Sequence, residues 1–233
     1  MDVAGHYREL LSKSGQVLEV AFSEDEKSQL MTCSHNYLLD YDLMRRALHG
    51  RMESEMFELA LQEYQFALYA VSIGQYRHAY VGLRLFMELS LCSFHFSVRE
   101  MELRQWLLNR RDIVWANLKD MENGIFSKAF IGLFDQQLAE HGRQYCTIGE
   151  AVYRECSEYV HGNAKTYNNL SSELAFKMES FRDWHDKAKT IRLVVMFAFC
   201  ARYLSSLDPA NKVALESPVL EALGHLECIR KYF

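Results

Sequence analysis

The sequence predicts an all-α protein, on three observations. Leu, Ala, Glu and Met, which favour helices, are abundant among the 233 residues, and the only prolines are Pro209 and Pro218. Apolar residues recur at helical spacing through most of the chain. Glycines stand between these periodic stretches, where they favour the ends of helices.

The first elements predict a helical hairpin over residues 4–47. Its first helix spans about 4–20, and Ser23 then begins the run S-E-D-E, which is typical of a capping box and opens the second helix. Gly50 closes the pair.

Two long helices follow, over 52–73 and 75–97, with Gly74 between them. Their rich apolar periodicity predicts that they pack on each other as a second hairpin. The middle of the chain is more irregular, and we expect short helices there over 100–109, 112–121 and 125–140.

A regular helix resumes near Thr147 and is expected to end at Gly162-Asn163. The polar residues 162–169 then predict a loop that leads into a long helix over 170–204. A turn-like segment, SSLDPANK, precedes a last short helix over 218–230. We therefore expect additional helices at both ends of a central bundle.

Composition limits the functions that this chain can serve. The formal net charge is −5, which argues against a broad basic surface for nucleic acid and leaves only a local patch. The six cysteines are scattered without a C-x-x-C pair, so we expect reduced thiols and no metal site. No glycine-rich phosphate loop or other cofactor motif is present, and no cofactor is expected.

The amino-terminal sequence lacks the apolar segment of a secretory signal. The longest apolar run, 193–201, is much shorter than the roughly 20 residues that span a bilayer. We accordingly expect a cytoplasmic protein without a membrane segment.

The segment with chemical promise is the helix that begins near Thr147. On a helical wheel, one side carries an apolar stripe that should face the core, made of Tyr145, Ile148, Val152, Cys156, Tyr159 and Val160. Arg154, Glu158 and His161 lie on the opposite side, facing solvent or a partner. Cys156 falls on the apolar stripe, so we expect a buried structural thiol and not a nucleophile.

Six residues separate Arg154 from His161, and no other Arg of this chain is followed by a His after four to six residues. The segment YRECSEYVHGN resembles the signature of the HEPN superfamily of helical domains, in which an arginine is followed by a histidine at this spacing. Arg84 and Glu88 look like the Arg-x-x-x-Glu often seen on an earlier helix of such proteins. Arg84 and Glu88 also have the spacing of an ordinary intrahelical ion pair.

Arg77, Arg84, Glu88 and His95 fall on one line of an otherwise apolar helix. Such a polar line must pair internally or face a polar site, because burying unpaired charge is costly. One interpretation is therefore that it supports the Arg154 and His161 site from behind.

The resemblance implies an antiparallel helical bundle, with a HEPN-like core over roughly 50–205. We expect a single domain over residues 1–233, in which the hairpin 4–47 packs on that core. It also implies a homodimer in which the two Arg/His motifs meet and form one composite, metal-independent ribonuclease site. In that family many catalytic members act in defence or as toxins, whereas others have become binding modules.

The residue types suit this chemistry. A histidine near neutral pKa moves the proton of an RNA 2′-hydroxyl or of the leaving oxygen, and an arginine binds phosphate oxygens bidentately. Glu155 departs from the family pattern, which commonly has a small polar residue after the arginine. Glu158 lies one turn from both Arg154 and His161, where it either orients the histidine or neutralises the arginine.

Two functions remain open at this stage. The first is a HEPN-like endoribonuclease of a prokaryotic defence or toxin system, acting on RNA as a homodimer and restrained by a partner protein or antitoxin. The second is a non-catalytic helical module that uses the same face to bind a partner protein or nucleic acid. A solvated face that merely carries Glu, Arg and His is the simplest alternative to both.

Overall fold

A computed structural model describes residues 2–161, 163–164, 166 and 173–233. Eleven α-helices and no strand occur in these residues, which confirms the all-α prediction: α1 Val3–Ala21, α2 Asp25–Ala47, α3 Ser54–Ser72, α4 Tyr76–Phe96, α5 Glu100–Leu107, α6 Trp115–Leu118, α7 Lys128–Gly132, α8 Gly142–Val160, α9 Met178–Tyr203, α10 Pro209–Leu223 and α11 Glu227–Arg230. Short 3-10 helices span Leu138–His141 and Leu204–Ser206.

The predicted hairpin of α3 and α4 is present, and these two helices form the most extensive contact in the described structure. Gly74 turns the chain between them with φ +77°, a left-handed conformation that glycine adopts without strain. α4 also packs on α8 and α9, and α2 packs on α3 and α9. α4 is therefore the central helix, in contact with the three helices that surround it.

One continuous cluster of buried apolar side chains extends from Ala21 to Ile229. Trp184, Tyr64, Phe86 and Phe197 are among its fully buried large side chains. α1 contributes least to this core, since only Val17 and Ala21 of that helix are buried. In the part of the chain that the structure describes, no helix combines the length and apolar character needed to cross a bilayer.

Helix starts are the features that the sequence predicted least well. The prediction of a capping box at Ser23 is wrong. The Ser23 hydroxyl donates to the carbonyl of Val20, and the N-cap residue of α2 is Glu24, whose side chain accepts no capping hydrogen bond. The predicted start of the last short helix, at residue 218, is also wrong. α10 begins at Pro209, where the Asp208 carboxylate accepts the amide of Asn211, so the segment predicted as a turn is a helix start.

The middle of the chain is more broken than predicted. The expected helix over 125–140 consists of α7, capped by the hydroxyl of Ser127, and a separate 3-10 turn. That turn leads directly into α8 at Gly142, five residues before Thr147. A Cβ atom at Gly142 would lie 2.3 Å from the carbonyl oxygen of Phe126. The absence of a side chain at Gly142 therefore lets the start of α8 pack closely against Phe126, and the glycine does not interrupt the helix.

The predicted helix over 112–121 is shorter in the structure and comprises only α6. Residues 173–177 are not helical, so α9 starts at Met178, later than the prediction. The predicted loop 162–169 and the predicted helix start at 170 lie largely outside the described residues.

Candidate functional site

α8 is seated in the bundle by its inner face. Tyr145, Val152 and Cys156 are buried, as the wheel predicts, whereas Val160 at the end of the helix is 39% exposed, contrary to the prediction. A Cβ atom at Gly149 would lie 3.2 Å from both Met87 and Val194 side chains, so the glycine lets α8 approach α4 and α9 closely. This inner face fixes which residues α8 presents outward.

Arg154 and His161 are both exposed on the outer side of α8. They are seven residues apart, which corresponds to nearly two turns and a rise of roughly 10 Å along the axis. His161 is the C-cap residue of the helix, and its backbone amide donates to the carbonyl of Ser157. Within the described residues, neither side chain makes a hydrogen bond or ion pair, so both remain available to a ligand.

Glu155 is engaged elsewhere. Its Oε2 atom lies 3.0 Å from Nζ of Lys187 on α9, and the same ammonium lies 2.6 Å from Oδ1 of Asp183. Burial alone would favour loss of the Lys187 proton, but its hydrogen bonds to Asp183 and Glu155 prevail and raise its pKa. Glu158 is half-buried and forms no ion pair with Arg154 or His161 in the described part of the structure. Neither glutamate neutralises Arg154.

Arg84 and Glu88 form the expected ion pair on α4, with Nη2 of Arg84 3.1 Å from Oε1 of Glu88. The pair also holds α8. Arg84 donates to the hydroxyl of Tyr153 and, through Nε, to the hydroxyl of Ser157 at 3.0 Å, while the Tyr153 hydroxyl donates to Glu88 at 2.6 Å. Trp115 stacks on the Tyr153 ring with centroids 3.7 Å apart. These contacts fix the helix turn that carries Arg154.

The last turn of α8 is held by the start of α4. Nη1 of Arg77 donates to the carbonyl of Tyr159 at 2.6 Å, and the Tyr159 ring stacks on Tyr80 with centroids 3.8 Å apart. Tyr80 is fully buried and donates to Asp183 at 2.5 Å. Its burial, followed by the Asp183 charge, raises its pKa far above the usual range. Arg77 was placed on the polar line of its helix by sequence, but nothing in the sequence indicated Tyr80.

A cavity of about 230 Å³ opens between α4, α8 and α9 beside this turn. Among the described residues that line it, four are carboxylates and one, Lys187, is basic: Tyr80, Glu155, Glu158, Tyr159, Glu179, Ser180, Asp183 and Lys187. This acidic character disfavours a polyanion inside the cavity itself.

Other reactive groups are structural. Cys156 is fully buried, and burial raises the pKa of its thiol to about 12, so it is not a nucleophile. His95, on the polar line of α4, is buried and far along the helix from Arg77. Among the described residues, no group of three or more His, Cys, Asp or Glu side chains is arranged to hold a metal ion.

The outer face of α8 thus presents an arginine and a histidine without a partner among the described residues, on a helix that Arg77, Arg84 and Glu88 hold through Tyr159, Ser157 and Tyr153. Comparison with models of known protein families, with curated proteins and with solved structures gave no significant match.

Proposed function

We propose that this protein is a HEPN-like, metal-independent endoribonuclease whose active site is composed of Arg154 and His161 from two subunits of a homodimer. The observation that carries the proposal is that both side chains are exposed on one face of α8 without a partner among the described residues. Their place in a prokaryotic defence or toxin system, with RNA as substrate and a restraining partner protein or antitoxin, rests on the family resemblance alone.

In the proposed reaction, His161 transfers protons and Arg154 binds the phosphate. His161 of one subunit removes the proton from the 2′-hydroxyl, whose oxygen attacks phosphorus and displaces the 5′-oxygen of the next nucleotide. A second histidine, His161 of the partner subunit, protonates that leaving oxygen. The guanidinium of Arg154 binds the non-bridging oxygens, where negative charge increases in the transition state. The products are a 2′,3′-cyclic phosphate and a free 5′-hydroxyl.

The pairing of Glu155 with Lys187 supports this role for Arg154. An adjacent carboxylate that formed a salt bridge with Arg154 would compete with phosphate for the same N–H donors. Because Lys187 binds Glu155 instead, the guanidinium keeps its donors. Glu155 and Glu158 are then supporting residues of the helix surface and the adjoining cavity, and neither is part of the proton transfer.

A second function has its own supporting observation. Among the described residues, the cavity beside the last turn of α8 is lined by Glu155, Glu158, Glu179 and Asp183 against a single lysine. This lining suits a basic segment of another protein better than nucleic acid. In that case the chain is a non-catalytic binding module that uses the same side of α8.

Cleavage of a fluorescent RNA in EDTA distinguishes the two functions. We expect cleavage by the wild-type protein and a loss of at least about 100-fold in His161→Gln and Arg154→Met, a typical effect of removing a general acid–base residue or a phosphate ligand. Arg143→Met is the matched control, since Arg143 is also exposed on α8, near the opposite end of the helix. Equal cleavage by all four proteins would trace the activity to a contaminant and refute the proposal.

The composite site has a separate test. Light scattering coupled to size exclusion should give twice the chain mass for the active protein. Cleavage by a species of single-chain mass would show that one subunit suffices, and it would refute the composite site without affecting the assignment of Arg154 and His161.

A further inference from the structure

Arg202, in the last turn of α9, is a buried cation without an acidic partner. Only 9% of its surface is exposed, and it forms no ion pair with a carboxylate of the described residues. Lys27 and Arg192, which are buried to a similar degree, each pair with a carboxylate. Burying an uncompensated charge is costly, so Arg202 differs from these cations in needing an anion from outside the described residues.

Three contacts fix the guanidinium of Arg202 in one orientation. Its Nε atom donates to the Ser97 hydroxyl at 2.7 Å. Its Cζ atom lies over two rings, 4.0 Å from the centroid of Phe134 and 4.7 Å from that of Tyr203. Contact with aromatic faces leaves the N–H edge of a guanidinium for acceptors in its plane. The Arg202 fork is therefore preformed for an oxygen ligand.

The Nη1 and Nη2 atoms of Arg202 make no hydrogen bond to a described residue. The polar side-chain atoms there that are both enclosed and unpartnered are Tyr41 Oη, Ser90 Oγ, Trp184 Nε1 and His185 Nε2. Neither Nη atom is among them, so both Nη atoms reach the surface. The dipole of α9 favours a cation near the helix end, but it supplies no hydrogen-bond acceptor for these atoms.

The charges that act on Arg202 leave it uncompensated. Burial lowers the pKa of Arg202, and the Arg51 charge lowers it further, while the Glu53 charge acts in the opposite direction. Glu53 is engaged elsewhere, because its Oε1 atom accepts the Tyr203 hydroxyl at 3.0 Å and lies 3.8 Å from Nη1 of Arg51. With Glu53 set against Arg51, the group retains the positive charge of Arg202.

Exposed apolar side chains border this arginine. Met52, Val98 and Leu133 are exposed, and each is the neighbour in sequence of a residue that contacts Arg202 or acts on its charge. Consecutive residues are about 3.8 Å apart, so these side chains lie beside the site. An arginine and a methionine among apolar side chains are typical of protein–protein interfaces. A nucleic acid would instead need further cations for its successive phosphates.

We propose that Arg202 binds a carboxylate in an acidic segment of a partner protein, whose flanking apolar side chains contact Met52, Val98 and Leu133. Charge complementarity identifies the occupant, since the site offers one positive charge within an apolar border. The site is independent of the proposed ribonuclease activity, and it holds whether or not the chain cleaves RNA.

Isothermal titration with three probes tests the ligand class. The blocked tripeptide leucyl-aspartyl-leucine carries a carboxylate between two apolar side chains, its asparaginyl counterpart lacks the charge, and inorganic phosphate lacks the apolar part. We expect the aspartyl peptide to bind one site per chain with a Kd of about 1 mM, and the other probes to bind at least about tenfold more weakly. Absence of saturable aspartyl-peptide binding up to about 10 mM, or equal binding of either other probe, would overturn the proposal.

Val98 provides a matched pair of variants that leaves the buried contacts of Arg202 in place. Val98→Glu adds a carboxylate that competes for Arg202 and repels the aspartyl peptide, so the affinity should fall at least about fivefold. Val98→Gln has nearly the size of that variant without the charge, and it should lower the affinity by less than about twofold. Equal affinities in the two variants would show that the peptide binds elsewhere.

Arg202→Lys tests the planar fork, because lysine keeps the charge but cannot bind a carboxylate bidentately. We expect its affinity for the aspartyl peptide to fall at least about tenfold. Arg8→Met, at an exposed arginine of α1, is the control and should bind as the wild type does. Circular dichroism establishes which variants are folded. Wild-type affinity in folded Arg202→Lys would disprove the role of Arg202, and if that variant does not fold, the Val98 pair decides.

Discussion

Arg77 on α4 donates from Nη1 to the backbone carbonyl of Tyr159, at 2.6 Å, two residues before His161. The carbonyls of a final helix turn lack partners within the helix, so a cationic side chain there satisfies one of them and opposes the negative end of the helix dipole. Arg77 therefore couples the start of α4 to the position of His161.

We predict that Arg77→Met lowers the free energy of unfolding by about 1.5 kcal/mol, the lower end of the range for a hydrogen bond that involves a charged group. Hydrogen exchange should become faster specifically in the last turn of α8, at residues 157–161. Arg77→Lys should restore part of the protection. The control is Arg104→Met, which removes an exposed arginine that pairs with Glu100 on α5. Unchanged exchange in Arg77→Met would show that Tyr80 stacking alone holds the turn.

The Tyr153 hydroxyl gives a second prediction, because it donates to Glu88 at 2.6 Å and accepts from Arg84 in a half-buried network. Tyr153→Phe keeps the stack on Trp115 but removes both hydrogen bonds. We expect a loss of about 1 to 2 kcal/mol in the free energy of unfolding, measured by urea denaturation. Tyr69→Phe, at a 61% exposed tyrosine, should change it by less than about 0.5 kcal/mol. Equal effects in the two variants would contradict a stabilising role for the network.

The sequence predicted the helices better than the contacts between them, and the reason is physical. Gly50, Gly74 and the apolar periodicity predicted the bounds of α3 and α4 to within a few residues. They could do so because glycine conformation and apolar periodicity are local properties of the chain. The wheel likewise placed Arg154 and His161 outward, since that depends only on the period of one helix. α10 was missed at its start because Asp208-Pro209 suits either a turn or a helix N-terminus.

The partners of the site residues depend on how helices cross, which a single sequence does not encode locally. Lys187 is 32 positions from Glu155, and Tyr80 is 103 positions from Asp183. The polar line on α4 indicated that Arg77 and Arg84 needed partners, yet it did not specify a carbonyl of α8 or the hydroxyl of Tyr153. The sequence thus predicted that these polar side chains need partners, but it did not predict which groups the partners are.

Gly74 and Gly50 form a matched pair for a third prediction, since both have positive φ, +77° and +81°. A Cβ atom at Gly74 would lie 3.1 Å from Val17 Cγ1 and 3.2 Å from the carbonyl oxygen of Ala175, whereas nothing lies within 4 Å at Gly50. We expect Gly50→Ala to cost about 1 kcal/mol from left-handed strain alone and Gly74→Ala about 2 kcal/mol or more. Thermal denaturation that ranked Gly50→Ala as the more damaging change would contradict this packing.

His185 makes stability depend on pH. It is 3% exposed, its Nδ1 atom is 2.7 Å from the Ser34 hydroxyl, and the Phe181 and Trp184 rings lie against it. Burial lowers its pKa to about 4, whereas an unfolded histidine titrates near 6.5. Between these two values the unfolded chain binds a proton that the folded protein does not, so the folded state loses stability as the pH falls from about 6.5 to about 4.

We therefore predict that the free energy of unfolding falls by about 2 kcal/mol per buried histidine between roughly pH 7 and pH 5. His95, whose pKa burial also lowers to about 4, contributes a second share of this slope. In His185→Gln the slope should decrease by about half, because glutamine does not titrate, while exposed His6→Gln should leave it unchanged. Urea denaturation at several pH values measures this slope of the free energy of unfolding against pH. An undiminished slope in His185→Gln would mean that His185 already carries its proton in the folded protein.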